Sequence, residues 1–258
     1  MNKVTLSGVD MTYVNKSGEI PALVDIFLNI KTEEFVSLLG PSGCGKSTIL
    51  SLIAGMLRPS KGQILIDGEP VIGTSPKVGY MLQHDHLLEW RDIRRNTYLG
   101  LEVRGLADKE HCRHADELLI RYGLGGFMNR YPSELSGGMR QRAALVRTLA
   151  LEPEVVLLDE PFSALDYQTR LTLEEEVATI LKQEHKTVIL VTHDIAEAIA
   201  MSDRIIVLSA RPGTVKAEYT IELSGKNNSP FAARQAPEFR EYFKEIWSVL
   251  EEGHATVR

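Results

Sequence analysis

Residues 40–48, GPSGCGKST, have types and spacing suited to binding phosphate. They match G-x-x-x-x-G-K-[S/T], with an apolar run, FVSLL, before them and a helical run, STILSLIAGM, after them. Glycines let the backbone approach phosphate oxygens with its N–H groups pointing inward, and the helix adds its positive N-terminal end. The predicted phosphate-binding loop consists of Gly40, Pro41, Ser42, Gly43, Cys44, Gly45, Lys46, Ser47 and Thr48.

Side chains within this loop have separate expected tasks. Lys46 supplies a point charge for the β- and γ-phosphates of a nucleotide, and the Ser47 hydroxyl is placed to ligate Mg²⁺. Cys44 stands at a position where the pattern accepts any residue. We expect its thiol to lie beside the nucleotide.

Two adjacent carboxylates, Asp159 and Glu160, follow the apolar run VVLL. Ligands of open α/β sheets gather at the carboxyl ends of the strands, so both side chains are predicted to lie near the bound nucleotide. A carboxylate there holds Mg²⁺, often through water, and its neighbour accepts a proton from an attacking water. We assign Asp159 to the metal and Glu160 to the general base.

A second phosphate-type device occurs in LSGGMRQR, residues 135–142. Ser136 is suited to cap a helix whose first turn contains Gly137 and Gly138. The start of such a helix presents N–H groups and a hydroxyl to an anion. The chain therefore carries two phosphate devices far apart in sequence.

The elements around these residues predict an α/β fold with a largely parallel sheet. Continuously apolar runs, FVSLL, VVLL and VILV, are typical of central strands covered on both faces, whereas KVTLSGVDMTY alternates and predicts an antiparallel element. Residues 85–150 have little strand character and are predicted to form a helical insertion. We therefore divide one domain into an α/β core with its antiparallel subdomain (1–84 and 151–223), a helical subdomain (85–150) and a helical tail (224–258).

Two helices have clear sequence signals. One is predicted after an Asp108 N-cap and stops at Gly123, with Ala115, Leu118, Leu119 and Tyr122 on one face. The other lies in the tail, where apolar residues follow helical spacing: Phe239, Phe243, Ile246 and Leu250. We expect this tail helix to pack on the body of the protein.

Composition restricts the classes of partner. The chain has 258 residues and a net charge of −6, so no nucleic-acid partner is expected. Its two cysteines fit a reducing compartment. The N-terminus lacks the pattern of a signal peptide, and the longest apolar runs are too short to span a bilayer. If the protein acts at a membrane, we expect other chains to span the bilayer.

The motifs together resemble the ATP-binding-cassette (ABC) ATPases. The resemblance rests on the glycine loop, YMLQ with Gln83, LSGGMRQR, the acidic strand end, SALD at residues 163–166 and VTHD with His193, all in the family's order. It implies a P-loop NTPase core that binds ATP and Mg²⁺. It also implies that Tyr13 stacks on adenine, that His193 bonds the γ-phosphate and that Asp166 lies at a dimer seam. Gln83 would contact Mg²⁺ or the attacking water.

Further segments resemble the importers of the nitrate, sulfonate and taurine group. They are MLQHDHLLEWRDIRRNTYLGLEVRG, YPSELSGGMRQRAALVRTLA, ARPGTV and FREYFKEIWSVL. The resemblance implies a head-to-tail homodimer in the cytoplasm, held on the inner face of the membrane by two permease subunits and served by an extracytoplasmic solute-binding protein. Residues 86–96 would grip the permease, on a surface made locally basic by Arg91, Arg94 and Arg95. The solute stays open, with bicarbonate and thiamine precursors also in the group.

Two other classes compete with an importer. A soluble ABC-type protein that regulates other molecules or acts with nucleic acid would share these motifs without a transport partner. A small-molecule kinase of the P-loop type needs the first loop but has no need of LSGGMRQR or His193, and we discount it. The resemblance also explains why the chain has two phosphate-binding motifs. It implies that Ser136 of one copy covers the nucleotide held by the other, so that one site is divided between two chains.

Overall fold

The computed structural model describes residues 1–16, 18–224 and 229–252. The part of the predicted tail that falls at 225–228 and 253–258 lies outside these residues. The strands are β1 (Asn2–Asn15), β2 (Gly18–Lys31), β3 (Phe35–Leu39), β4 (Lys61–Ile66), β5 (Glu69–Pro70), β6 (Val78–Met81), β7 (Val155–Asp159), β8 (Thr187–Thr192), β9 (Arg204–Leu208) and β10 (Val215–Thr220). The α-helices are α1 (Lys46–Ile53), α2 (Ile93–Arg104), α3 (Lys109–Arg121), α4 (Gly137–Leu149), α5 (Tyr167–Gln183), α6 (Ile195–Met201), α7 (Pro230–Gln235) and α8 (Phe239–Glu252).

The chain forms two compact units, and the first comprises Met1–Ser75 with Ala178–Arg258. In this unit β3 pairs in parallel with β8 on one side and β9 on the other, and β10 pairs antiparallel with β9. The predicted antiparallel element is confirmed as a sheet in the order β2-β1-β4-β5. Every residue of β8 is buried, as its continuous apolar run predicts.

The second unit comprises Pro76–Val177. It contains the parallel pair β6 and β7, in which Tyr80 lies opposite Leu157 and Met81 lies opposite Leu158. Helices α2, α3 and α4 fall within residues 85–150, which contain no strand. All five residues of β7 are buried, so its carboxyl end is held at a fixed position within this unit.

Both helices with clear sequence signals are confirmed. The Asp108 carboxylate caps α3 by accepting hydrogen bonds from the N–H groups of Glu110 and His111, and Gly123 follows the helix with φ of 73°. In the tail, α8 packs on the body through the fully buried Ile246. No helix within the described ranges combines the length and the apolar character needed to cross a membrane.

Two ion pairs of Arg204 in the first unit connect β9 to β10 and to the residue that precedes β3. The Arg204 guanidinium contacts both carboxylate oxygens of Glu34, at 2.8 and 3.0 Å, and donates to Glu218 at 2.7 Å. The side chains of Arg204 and Glu34 are only 13% and 8% exposed. Removal of the guanidinium would leave a buried carboxylate without a cation.

We therefore predict that Arg204→Ala lowers the free energy of unfolding by about 3 kcal/mol, because it leaves the buried Glu34 carboxylate without a cation. Urea unfolding followed by circular dichroism measures the effect. The matched control is Arg113→Ala, whose 3.7 Å pair with Glu117 is largely exposed and should contribute about 0.5 kcal/mol or less. Equal losses in the two variants would contradict a structural role for the buried pair.

Candidate nucleotide site

The glycine loop connects β3 to α1 in a conformation that requires glycine. Gly43 and Gly45 have φ of 76° and 105°, in the region that L side chains rarely adopt. A Cβ on Gly45 would lie 2.5 Å from the Cδ2 atom of Leu23, so a side chain would not fit there. The loop can therefore keep the tight turn that brings backbone N–H groups to a phosphate.

The Lys46 side chain folds back over this loop. It is 6% exposed, and its ammonium donates to the carbonyl oxygens of Gly40 at 2.7 Å and Pro41 at 3.0 Å. A buried ammonium needs oxygen partners, which the loop provides. The loop thus combines a fixed positive charge with permissive backbone, and this arrangement fits the phosphates of a nucleotide.

Cys44 lies under the loop with its thiol buried. A Cβ on Gly40 would lie 2.9 Å from its sulfur atom, so the thiol occupies the space that Gly40 leaves. Burial raises the pKa of the Cys44 thiol, with a smaller opposing effect from Lys46. The Cys44 side chain therefore packs on the buried side of the loop. Only its backbone is placed to contact a nucleotide.

Tyr13 and His193 lie at the edges of the loop. The Tyr13 hydroxyl is 3.2 Å from the Thr48 hydroxyl, and 38% of the tyrosine is exposed, which leaves ring surface for a base. His193 follows β8 on an exposed turn and lines the same cavity as Gly40 and Ser42. The first unit thus brings Tyr13, the loop and His193 close together.

The second unit holds the carboxylates by means of the neighbouring strand. Asp159 ends β7, and its Oδ2 atom accepts a hydrogen bond from the Tyr80 hydroxyl at 3.1 Å. Gln83 donates to the Glu160 carboxylate at 3.2 Å. Glu160 has φ of 46°, a left-handed value that is uncommon for a residue with a side chain. The structure brings Gln83, Asp159 and Glu160 together, and it adds Tyr80, which sequence reasoning missed.

The helix that Ser136 caps in LSGGMRQR is α4, which we call the signature helix, and it begins as predicted. The exposed Ser136 hydroxyl accepts a hydrogen bond from the Met139 N–H at 3.4 Å. A Cβ on Gly138 would lie 2.7 Å from the Thr169 methyl group of α5, so this glycine is required for close helix packing. Asp166 lies just before α5, and hydrogen bonds from the Thr169 hydroxyl and N–H lower the pKa of its carboxyl group.

Two arginines of α4 hold the segment that follows Gln83. Arg140 donates to the Asp85 carboxylate at 3.1 Å, and Arg147 donates to the Asp85 and His86 carbonyl oxygens at 2.5 and 2.8 Å. Burial lowers the pKa of Arg147. Arg140 lies within LSGGMRQR and Arg147 lies shortly after it. These positions mark both arginines in the sequence, but the spacing does not predict which residues they contact.

The predicted basic surface at residues 86–96 is different in the structure. Each of its three arginines lies against a carboxylate: Arg91 on Glu102 at 2.6 Å, Arg94 on Asp116 at 3.1 Å and Arg95 on Asp92 at 3.8 Å. The expectation of a locally basic patch was wrong, because these acidic side chains offset the charge. Trp90, which is 74% exposed, is the prominent feature of this segment.

Comparisons with known proteins identify the family of this chain. The family profile described as ABC transporter matches residues 23–163, more than half of the chain. The nitrate import ATP-binding protein NrtD of Synechocystis is 41% identical over 249 residues, which cover 95% of this chain and 94% of that protein. The taurine import ATP-binding protein TauB of Roseobacter denitrificans is 36% identical over 259 residues, with 98% and 97% covered.

A solved structure confirms the fold. It is the dimeric, post-hydrolysis state of the ATP-binding cassette MJ0796 bound to ADP and phosphate, with a TM-score of 0.74 and 34% identity. The match covers 85% of this chain and 99% of that one. The α/β fold is therefore that of the P-loop NTPases, and this chain is an ATPase that belongs to the ABC transporter family.

Proposed function

We propose that this chain is the ATP-hydrolysing subunit of an importer of the nitrate, sulfonate and taurine group. The observation that carries the proposal is the glycine loop around the buried Lys46, in a chain related to import subunits along nearly its whole length. ATP would bind with its phosphates in the loop and its base against Tyr13. Two copies would act together, as the dimeric MJ0796 cassette suggests.

Mg²⁺, when bound, neutralises phosphate charge, and oxygen atoms of Ser47, Gln83 and Asp159 would hold it. These groups are the hard oxygen ligands that Mg²⁺ prefers, so the residues fit the ion. Tyr80 positions the Asp159 carboxylate through its hydroxyl. Glu160, oriented by Gln83, would take a proton from the attacking water, and His193 would donate to the γ-phosphate.

The permease would bind at residues 86–96 through apolar contact rather than through charge. Trp90 is mostly exposed, and the arginines beside it are already paired. Arg140 and Arg147 connect this segment to the signature helix α4. A permease that moves this segment would therefore act on Ser136 as well as on Gln83. The cassette would sit on the cytoplasmic face, and a separate extracytoplasmic protein would deliver the solute.

Growth of the native host tests the importer directly. Deletion of the gene should abolish growth on one of nitrate, taurine or an alkanesulfonate as the sole nitrogen or sulfur source, and a plasmid copy should restore it. An unchanged uptake of all these solutes, with nucleic acid recovered on the purified chain, would favour the regulatory class instead.

We predict that Glu160→Gln lowers the ATPase rate by about 100-fold or more, because the general base is lost. ATP binding should persist, and light scattering should detect a dimer that forms with ATP and stays assembled. Glu110→Gln, on the exposed face of α3, is the matched control. Normal turnover in Glu160→Gln would remove this residue from the base role.

We predict that Ser136→Arg leaves ATP binding to the monomer unchanged but lowers hydrolysis by about 100-fold, because a donor at the phosphates is lost across the dimer. Fluorescent ATP binding and phosphate release provide the two measurements. Ser133→Arg, at an exposed position just before α4, is the control. Loss of ATP binding to the Ser136→Arg monomer would refute a site divided between two copies.

We predict that Tyr80→Phe raises the concentration of Mg²⁺ needed for half-maximal ATPase activity by about tenfold, because Asp159 loses an orienting hydrogen bond. Electron paramagnetic resonance of Mn²⁺ bound with ADP measures metal affinity independently of turnover. Tyr98→Phe is the matched control, since the Tyr98 hydroxyl makes a similar 2.7 Å bond to Asp116 on the α2–α3 pair. Equal metal affinity in the two variants would exclude the positioning role.

A further inference from the structure

The segment ARPGTV, residues 210–215, leads from β9 into β10 in the first unit. Ser209 closes this turn on itself. Its N–H donates to the Thr214 carbonyl oxygen at 2.9 Å, and its hydroxyl accepts a hydrogen bond from the Thr214 N–H at 2.9 Å. Residues 209–214, which we call the β9–β10 turn, therefore have a defined shape.

The β9–β10 turn is fastened to β2 by hydrogen bonds of the main chain. The Gly213 N–H donates to the Ala22 carbonyl oxygen at 2.8 Å, and the Gly213 carbonyl oxygen accepts from the Val24 N–H at 3.0 Å. Arg211 adds a bond from its guanidinium to the Pro21 carbonyl oxygen at 3.2 Å. Both backbone groups of Gly213 are thus committed to β2, so this residue cannot move without breaking a buried hydrogen bond.

Gly213 also lies directly against the glycine loop. It is buried, and a Cβ at this position would lie 2.0 Å from the Cys44 carbonyl oxygen and 3.2 Å from the Leu23 Cδ2 atom. The same Leu23 atom is the one that a Cβ on Gly45 would approach to 2.5 Å. A side-chain atom can rotate away from such a contact, but a backbone oxygen cannot. A side chain at position 213 must therefore displace the loop at Cys44.

We propose that Gly213 is a positioning residue for ATP, because it sets the place of the Cys44 and Gly45 backbone without touching the nucleotide. The inference rests on the proposed function, in which the phosphates of ATP bind within the loop. Phosphate affinity depends on backbone N–H groups that converge on the same oxygen atoms. A loop displaced at Cys44 loses this convergence, although Lys46 still supplies its charge.

This role belongs to the phosphate end of ATP and not to its base. Tyr13, which is proposed to contact the base, lies on β1 opposite Ile20 of β2. Gly213 instead meets the loop at Cys44. Tripolyphosphate has the charged groups of ATP but no base, so its affinity reports on the loop alone.

We predict that Gly213→Ala raises the dissociation constants of both ATP and tripolyphosphate about tenfold or more, the effect of losing one N–H bond to a charged oxygen. Isothermal titration calorimetry with EDTA present measures both constants without turnover, since hydrolysis needs Mg²⁺. The matched control is Gly73→Ala, because a Cβ at that exposed position meets no atom within 4 Å. Tyr13→Ala should weaken ATP binding but leave tripolyphosphate binding unchanged.

The outcomes separate this inference from the proposed function. Unchanged tripolyphosphate affinity in a Lys46→Ala chain would overturn the binding of phosphates in the loop, and the role of Gly213 with it. If Lys46→Ala loses that affinity while Gly213→Ala keeps it, only the role of Gly213 is overturned. A loss in Gly213→Ala that is confined to ATP would also overturn it, since the effect would then lie at the base.

A second pair of variants gives the answer without a side chain at position 213, should Gly213→Ala not fold. Leu23→Ala and Leu28→Ala each truncate a buried leucine of β2, and the two side chains are 0% and 2% exposed. Both substitutions should lower stability by leaving a cavity. Since the Leu23 side chain lies against Gly45 and Gly213, Leu23→Ala should weaken tripolyphosphate binding about threefold or more, whereas Leu28→Ala should not. Equal tripolyphosphate affinities in the two folded variants would contradict the proposal.

Discussion

The buried ammonium of Lys46 is the interaction on which the nucleotide site depends. Its bonds to the Gly40 and Pro41 carbonyl groups hold a positive charge inside the loop. Such a charge is costly to bury, and the cost is met because the glycines allow the chain to curl around it. The thiol beneath Gly40 and the packing of Leu23 against Gly45 keep that curl in place.

In the second unit, neighbouring hydrogen-bond donors hold two negatively charged side chains in place. Two adjacent carboxylates repel each other and would turn toward water unless donors fixed them. Tyr80 in β6 donates to Asp159, and Gln83, two residues after the end of β6, donates to Glu160. The arginines of α4 then hold the segment that follows Gln83. The two carboxylates and the segment for which we propose a permease contact therefore lie within one compact unit.

Charge at the surface followed different rules from charge in the site. Three arginines in a short segment suggest a basic patch, yet α2 and α3 place a carboxylate against each of them. An exposed pair of this kind contributes little stability, but it removes the field that a partner would sense. What remains exposed for recognition in this segment is the Trp90 ring.

The sequence by itself determined the class of fold, the loop, the acidic strand end and the caps of α3 and α4. These features depend on local backbone chemistry and on the periodic spacing of apolar residues along the chain. Tertiary structure decided which side chains meet. The Tyr80 hydroxyl reaches Asp159 only because β6 pairs with β7 in this register, and no spacing along the chain encodes that approach. The amphipathic pattern of α8 correctly predicted a packed helix, but a one-dimensional pattern does not reveal that Phe243 and Trp247 face the loop. Contacts between residues far apart in sequence depend on how strands and helices pack, and packing is a property of the folded chain.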